Sequence, residues 1–120
     1  MYTALVLTEE SRKIVVDSID IHHEGWEILF HHMTINMGKC KYPDLLGKEF
    51  DIKIVAYASD KRVAAYGVET ECPSKNELKH ITLAVNRSVG AKPRESNELT
   101  DWWPSITFPQ TLKGIVKECE

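Results

Sequence analysis

The chain has 120 residues, of which 42% are hydrophobic and 28% charged, and its formal net charge at pH 7 is −3. A chain of this size supports one hydrophobic core and not two, so residues 1–120 are predicted to form a single domain. The small negative charge excludes a strong overall attraction to polyanions. Cys40, Cys72 and Cys119 form no Cys-x-x-Cys pair, which argues against a disulfide framework and against structural zinc.

The sequence has none of the features expected of a membrane or secreted protein. No apolar run approaches the roughly 20 residues that a membrane helix needs. Residues 1–8 lack a basic region and lead directly into glutamates, unlike a signal peptide. We therefore expect a cytoplasmic protein with reduced cysteines and no membrane contact, and no pattern indicates an obligate protein partner.

The first third of the chain predicts a short strand, a helix and a long strand. Residues 3–7 form the strand, and Thr8 followed by two glutamates is typical of a helix N-terminus, so a helix is expected over about 9–19. Residues 21–25 are polar and end in glycine, which indicates a loop. Residues 26–37 alternate strongly enough between residue types to predict one long strand.

The rest of the chain is dominated by strands. Residues 42–47 predict a turn or short helix, and residues 50–58 and 63–69 predict a β-hairpin closed by four polar residues. Residues 78–86 and 112–117 predict two further strands. One helix and about six strands place the chain in the α+β class with a mainly antiparallel sheet.

Residues 87–110 form a long segment rich in polar residues, glycine and proline, in which residues 96–99 predict at best a short turn. Loops longer than about 12–15 residues in a compact domain are usually functional or disordered. Trp102, Trp103 and Phe108 indicate that this one is partly anchored.

Two of the predicted strands carry the same motif. Residues 32–37 read His-Met-Thr-Ile-Asn-Met and residues 80–85 read His-Ile-Thr-Leu-Ala-Val. Because strand side chains alternate between faces, the histidine and threonine of each copy share one face, and the other face is apolar. The residues predicted on the polar faces of the two strands are His32, Thr34, His80 and Thr82. The same alternation places His31 on the apolar side with Met33, Ile35 and Met37, as a packed or hydrogen-bonded histidine.

If the two strands lie near each other in one sheet, both imidazoles and both hydroxyls face one groove. A neutral imidazole can take a proton from a nucleophile while a protonated one gives a proton to the leaving oxygen. The hydroxyls can donate to the nonbridging phosphate oxygens. The motifs therefore predict phosphodiester cleavage without a metal, with His32 and His80 as the acid–base pair in unassigned roles and Thr34 and Thr82 as phosphate-binding residues.

Further residues are candidates for contacting a substrate. Residues 74–94 contain five lysines and arginines against one glutamate, a balance of +4, so an anionic ligand would prefer this stretch. Two asparagines are expected on the polar faces of the motif strands. Aromatic or basic side chains elsewhere can stack on a base or pair with a phosphate. The candidates are Asn36, Lys41, Tyr42, Asn86, Arg87, Lys92 and Trp102.

The paired motifs resemble those of the two-histidine (2H) phosphoesterase superfamily, which is defined by two His-x-Thr/Ser motifs on pseudo-symmetric strands. The run His-His-Met-Thr-Ile at residues 31–35, with residues 80–86 and the Lys92-Pro93 loop, is similar to the compact 2H domains of RNA-repair proteins and phages. The resemblance implies a pseudo-symmetric fold with a central cleft. The usual member is longer and has a helix in each half, whereas only the first half of this chain predicts one.

The same resemblance implies an activity. Members hydrolyse 2′,3′-cyclic nucleotides or RNA ends to a 2′-phosphate without metal or other cofactor, and cyclic oligonucleotides and ADP-ribose cyclic phosphates are further substrate classes. A nucleotide or an RNA end is thus the expected partner, and the exact substrate stays open.

Three alternatives remain beside a 2′,3′-cyclic phosphodiesterase. One is a nucleotide-binding module that holds a signalling nucleotide without turnover, and another is a phage hydrolase of cyclic oligonucleotide signals. The third is a metal enzyme built on the five histidines, which include His22 and His23. Adjacent histidines on a strand point apart and no ligand spacing of a known site is present, so the metal alternative is disfavoured.

Overall fold

The computed structural model describes residues 1–18, 25–104 and 110–120. Within these ranges the chain forms eight strands and one α-helix, which confirms the α+β class with more strands than the six expected. The strands are β1 (Tyr2–Leu7), β2 (Trp26–Ile28), β3 (His32–Met37), β4 (Glu49–Ser59), β5 (Val63–Glu69), β6 (His80–Asn86), β7 (Trp103–Pro104) and β8 (Leu112–Cys119). The helix is α1 (Glu9–Ser18), and 3₁₀ helices span Pro43–Leu45, Arg87–Val89 and Pro93–Glu98.

The sheet consists of two halves that share one long strand. Its order is β2-β6-β5-β4-β8-β1-β3, with β7 paired to β4, and the pairs are antiparallel. Residues 49–52 of β4 pair with β8, and residues 53–59 pair with β5. Strands β3 and β6 contact each other although they lie near opposite ends of the sheet order. The two motif strands are therefore brought together by the way the halves meet.

The single strand predicted over residues 26–37 is wrong, because the chain changes its partner partway along. The amides of Leu29 and Phe30 donate to carbonyls of β6, whereas the carbonyl of His31 accepts from the amide of Leu7 in β1. Phe30 has a positive φ of 36°, which interrupts the extended backbone, and its side chain is buried. The chain thus passes from one half of the sheet to the other at Phe30.

The predicted helix start and hairpin are confirmed. Thr8 Oγ1 accepts a hydrogen bond of 3.2 Å from the amide of Ser11, as a helix N-cap does. The carboxylate of Asp60 accepts from the amides of Arg62 and Val63 at 2.7 and 2.8 Å, which closes the turn between β4 and β5. Apart from its final glycine, the loop predicted at residues 21–25 lies outside the described residues. Among the described helices, none has the length and apolar character that crossing a membrane requires.

The segment after β6 is more ordered than its composition indicates. It contains two 3₁₀ helices and β7, and the indole of Trp102 donates to the carbonyl of Leu99 at 3.1 Å. Trp102 is thus anchored as expected, whereas Trp103 is 70% exposed. Residues 105–109, with Phe108, lie outside the described residues. The turn expected at residues 42–47 is the 3₁₀ helix Pro43–Leu45.

The core confirms the apolar faces of the two motif strands in part. Met33, Ile35 and Ile81 are fully buried and Leu83 nearly so. Met37, which was expected on the same face, is exposed.

Gly114 in β8 packs against buried side chains of β1 and β4, which leave no room for a methyl group. A Cβ at this position would lie 2.8 Å from Leu5 Cγ and 3.2 Å from Ile52 Cδ1. We expect Gly114→Ala to lower the free energy of unfolding by about 1–3 kcal/mol, the usual cost of overpacking, measured by urea denaturation. The control Lys117→Ala, at an exposed position of the same strand, should change it by less than about 0.5 kcal/mol. Equal stability of the two variants would contradict this packing.

Candidate active site

Both His-x-Thr motifs line one pocket. Its volume is about 470 Å³, and His32 and Thr34 from β3 and His80 and Thr82 from β6 all contribute to its wall. The other lining residues come from β1, the crossing before β3, the end of β3 and the segment after β6. They are Tyr2, Leu29, His31, Met37, Arg87, Pro93, Arg94, Ser96 and Asn97. The four residues that the motifs predicted as a group are therefore brought together.

His80 is held in one orientation by backbone and aromatic contacts. Its Nδ1 lies 2.8 Å from the carbonyl oxygen of Leu78, and only 8% of the residue is exposed. Because a carbonyl only accepts, Nδ1 carries the proton and donates it, which leaves Nε2 of the neutral ring with a lone pair. The indole of Trp102 packs beside the imidazole with 6.1 Å between ring centroids. Nε2 is the ring nitrogen available to a ligand.

His32 is held by the histidine before it. Its Nδ1 lies 3.0 Å from Nδ1 of His31, and the two rings meet edge to face. The ring of Tyr2 lies against His32 on another side, with 5.0 Å between centroids. Burial, with a smaller contribution from the charge of His31, lowers the pKa of His32 to about 4. His32 is therefore uncharged at neutral pH.

The prediction that His31 lies with Met33 on the apolar side is wrong. His31 forms a hydrogen bond, but to His32, and it is exposed and lines the pocket. Strand alternation begins only at His32, because the backbone of Phe30 is not extended.

The hydroxyl of Thr82 belongs to a small network. Thr82 Oγ1 lies 2.9 Å from Ser96 Oγ and 3.2 Å from the carbonyl oxygen of Pro93, and Ser96 Oγ donates to the same carbonyl at 2.9 Å. Two hydroxyl protons serve these three contacts. Ser96 is almost completely buried. If its one proton turns from the Pro93 carbonyl to Thr82 Oγ1, Thr82 can point its own proton toward a ligand.

Each motif strand shifts its register by one residue at the same place. Ala4 pairs with Thr34 and Thr3 with Asn36, which leaves Ile35 as an extra residue. In the second copy, Ala65 pairs with Thr82 and Ala64 with Ala84, and the extra residue is Leu83. A shift of this kind is a β-bulge, which turns all later side chains to the opposite face. The two copies therefore share backbone geometry as well as sequence.

The bulge explains why two predictions for β3 are wrong. Asn36, expected beside Thr34, is 2% exposed, and its amide group donates to the carbonyls of Met37 and Lys39. Met37, expected in the core, lines the pocket instead. Asn36 therefore holds the turn after β3 and is not a lining residue.

The structure separates the other candidates. Arg87 lines the pocket, and Trp102 contacts His80 from an adjoining pocket. The remaining candidates are not among the lining residues, and they are Lys41, Tyr42, Asn86 and Lys92. Asn86 caps the 3₁₀ helix Arg87–Val89 by accepting from the amide of Ser88.

The charge of the described lining residues is positive. They include Arg87 and Arg94 and no aspartate or glutamate. Arg87 also donates to the carbonyl of Ala91 and forms a long ion pair of 3.5 Å with Glu27, so its charge is only partly compensated. An anion would be favoured here.

Sequence reasoning missed several lining residues. Tyr2, Arg94, Ser96 and Asn97 lie far from the histidines along the chain or on the loop after β6. The positive balance of residues 74–94 is the one sequence feature that pointed to Arg94, and the other three had no such signal.

Among the described residues no three His, Cys, Asp or Glu side chains come together in a way that could hold a metal ion. His22 and His23, on which the metal alternative partly depends, lie outside the described residues. Comparisons with models of protein families, with curated proteins and with solved structures found no match.

The burial of His32 predicts how its ring titrates. Because desolvation disfavours the imidazolium, we expect His32 to stay neutral on acidification until the pH approaches about 4, against about 6.5 for an unperturbed histidine. The measurement is the pH dependence of ring chemical shifts by NMR, with His32→Asn used to assign the signal. A His32 midpoint at or above 6.5 would contradict the buried, His31-linked geometry.

Proposed function

We propose that the protein is a metal-independent phosphodiesterase of the two-histidine type that hydrolyses a 2′,3′-cyclic phosphate or a related nucleotide or RNA phosphodiester. The observation that carries the proposal is that both His-x-Thr motifs line one pocket with two arginines and, among its described lining residues, no carboxylate. A pocket of this volume is within the range of small-molecule sites. We further propose that the protein acts in the cytoplasm and needs no cofactor.

The different surroundings of the two histidines suggest their roles. His32 is neutral at neutral pH, so its Nε2 can accept a proton from an attacking water. His80, whose Nδ1 donates to Leu78, gives the proton on Nε2 of its charged form to the leaving oxygen. In this assignment His32 is the general base and His80 the general acid.

The proposed reaction is an in-line displacement at phosphorus. Water loses a proton to His32 while its oxygen forms a bond to phosphorus on one side. The bond from phosphorus to the 3′ oxygen breaks on the other side, and that oxygen receives the proton from His80. The products are a 2′-phosphate and a free 3′ hydroxyl, and proton exchange with solvent restores both histidines.

The threonines and arginines would stabilise the charge that grows on the nonbridging oxygens. Thr34 and Thr82 line the pocket beside their histidines, one from each half of the sheet. Preorganised donors of this kind favour the transition state over the ground state. Arg87 and Arg94 add positive charge to the wall, which favours binding of an anionic substrate.

The direct test is a panel of substrates with EDTA present, read by mass spectrometry. The panel contains 2′,3′-cyclic nucleotides, RNA ends with a cyclic phosphate, cyclic oligonucleotides and ADP-ribose cyclic phosphate. We expect cleavage of at least one with a bell-shaped pH profile, because one imidazole must be neutral and the other charged. Binding without product would support the nucleotide-binding alternative. Activity lost with EDTA and restored by zinc or manganese would support the metal alternative.

Substitutions in the motifs test the roles of the four residues. His32→Ala and His80→Ala should each lower kcat by about 10²–10⁴, the range for loss of general acid–base catalysis, with a smaller effect on binding. Thr34→Val and Thr82→Val keep the branched shape and remove the donor, and each should lower kcat about 10-fold or more.

The matched control is a pair of basic residues on the loop after β6. Arg94 lines the pocket and Lys92 does not, so Arg94→Ala should raise KM while Lys92→Ala leaves the kinetics unchanged. Full activity of both histidine variants would rule out the two-histidine mechanism.

A further inference from the structure

His31 lies directly before the first His-x-Thr motif and is not part of it. It precedes β3, is exposed, and lines the pocket beside His32. The Nδ1 atoms of the two rings are 3.0 Å apart, a hydrogen-bond distance. Such a bond needs a proton on one nitrogen and a lone pair on the other. The protonation of His31 and that of His32 are therefore linked.

We propose that His31 is a positioning residue for His32. Through the Nδ1–Nδ1 hydrogen bond, His31 determines which ring nitrogen of His32 carries the proton. When His31 is itself protonated, His32 can no longer act as the base. The proposal rests on the proposed function of the pocket and extends it to the pH range in which the site is active.

The comparison with His80 shows why the partner matters. The carbonyl of Leu78 can only accept, so it keeps the proton of neutral His80 on Nδ1 at any pH. A neutral His31 with its proton on Nε2 does the same for His32, because its Nδ1 accepts. Nε2 of His32 then keeps its lone pair and can take a proton from water.

Protonation of His31 reverses this arrangement. Both nitrogens of the His31 ring then carry protons, so its Nδ1 must donate and Nδ1 of His32 must accept. The proton of the neutral His32 ring moves to Nε2, which can no longer act as a base. His32 is neutral in both states and is catalytically competent in only one.

Burial supports this order of events. His31 is exposed, so a charge on its ring stays hydrated, whereas burial and the charge of His31 both lower the pKa of His32. Two coupled rings titrate in two macroscopic steps. When His31 carries a charge, His32 is the ring that stays neutral, because its pKa is lowered to about 4.

The charged surroundings of His31 differ on its two sides. His31 also borders a groove that α1 forms with β2 and β8, whose titratable and charged lining residues are Glu9, Arg12, Lys13, Asp17, Glu27 and Lys117. The corresponding residues on the pocket side are Tyr2, His32, His80, Arg87 and Arg94. The groove side is balanced in charge, and the pocket side carries the positive charge of two arginines.

The test compares His31→Asn with His31→Ala. Asparagine can place a carbonyl oxygen near the position of Nδ1, so it accepts the hydrogen bond and cannot be protonated, whereas alanine removes the bond. The two readouts are long-range ¹H–¹⁵N NMR spectra of the imidazole rings without substrate, and kcat/KM as a function of pH.

In the unsubstituted protein, we expect the proton of neutral His32 to move from Nδ1 to Nε2 on acidification, with kcat/KM falling at the same pH. In His31→Asn the proton should stay on Nδ1 and the loss of activity should move down to the pH at which His32 itself titrates. One pH unit below the midpoint of the unsubstituted protein, this variant should be about 10-fold more active than that protein. His31→Ala should mix the two ring forms and lower kcat/KM at neutral pH, and His31→Asn should restore it.

The proposal is overturned if the proton of His32 stays on one nitrogen throughout the titration. It is also overturned if neither variant changes the pH at which kcat/KM falls on acidification. The NMR readout needs no substrate, so it separates two failures. Movement of the proton without cleavage of any substrate counts against the proposed function, and cleavage with a fixed proton counts against the role of His31.

Discussion

The site depends on the backbone crossing at Phe30 and His31. The chain changes from one half of the sheet to the other between these two residues. The amide of Phe30 donates to β6, and the carbonyl of His31 accepts from β1. The crossing connects the halves by a route other than the shared strand β4. It brings β3 against β6, and the pocket occupies the space between these strands and the loop that follows β6.

Strand alternation was sufficient to predict the pairing of each histidine with its threonine. His32 and Thr34, like His80 and Thr82, are two residues apart on one extended segment, and such a relation needs no knowledge of the rest of the chain. Both pairs line one pocket only because the two strands meet. The internal repeat was the reason to expect that meeting, and local sequence patterns contain no further information on it. The α+β class followed from the local signals of one helix and several strands.

Alternation failed where the backbone departs from a regular strand. Phe30 and the extra residue Ile35 interrupt the extended pattern, and they reassign His31, Asn36 and Met37 to other surroundings. Neither position has a glycine or proline that would mark an irregularity in the sequence. Ser96 was missed for a different reason, because its contact with Thr82 is a tertiary one, made by a segment that composition describes only as a loop.

The repeated bulge has a consequence for how the site tolerates change in chain length. In each motif strand the histidine and threonine precede the extra residue, and the irregular pairing separates them from the rest of the strand. An insertion or deletion after the bulge changes the register of the residues beyond it. The pairing of the residues before the bulge is kept, because the register is already interrupted at that point. A change of length beyond the bulge would therefore leave the imidazole and the hydroxyl of each motif on the same face of their strand.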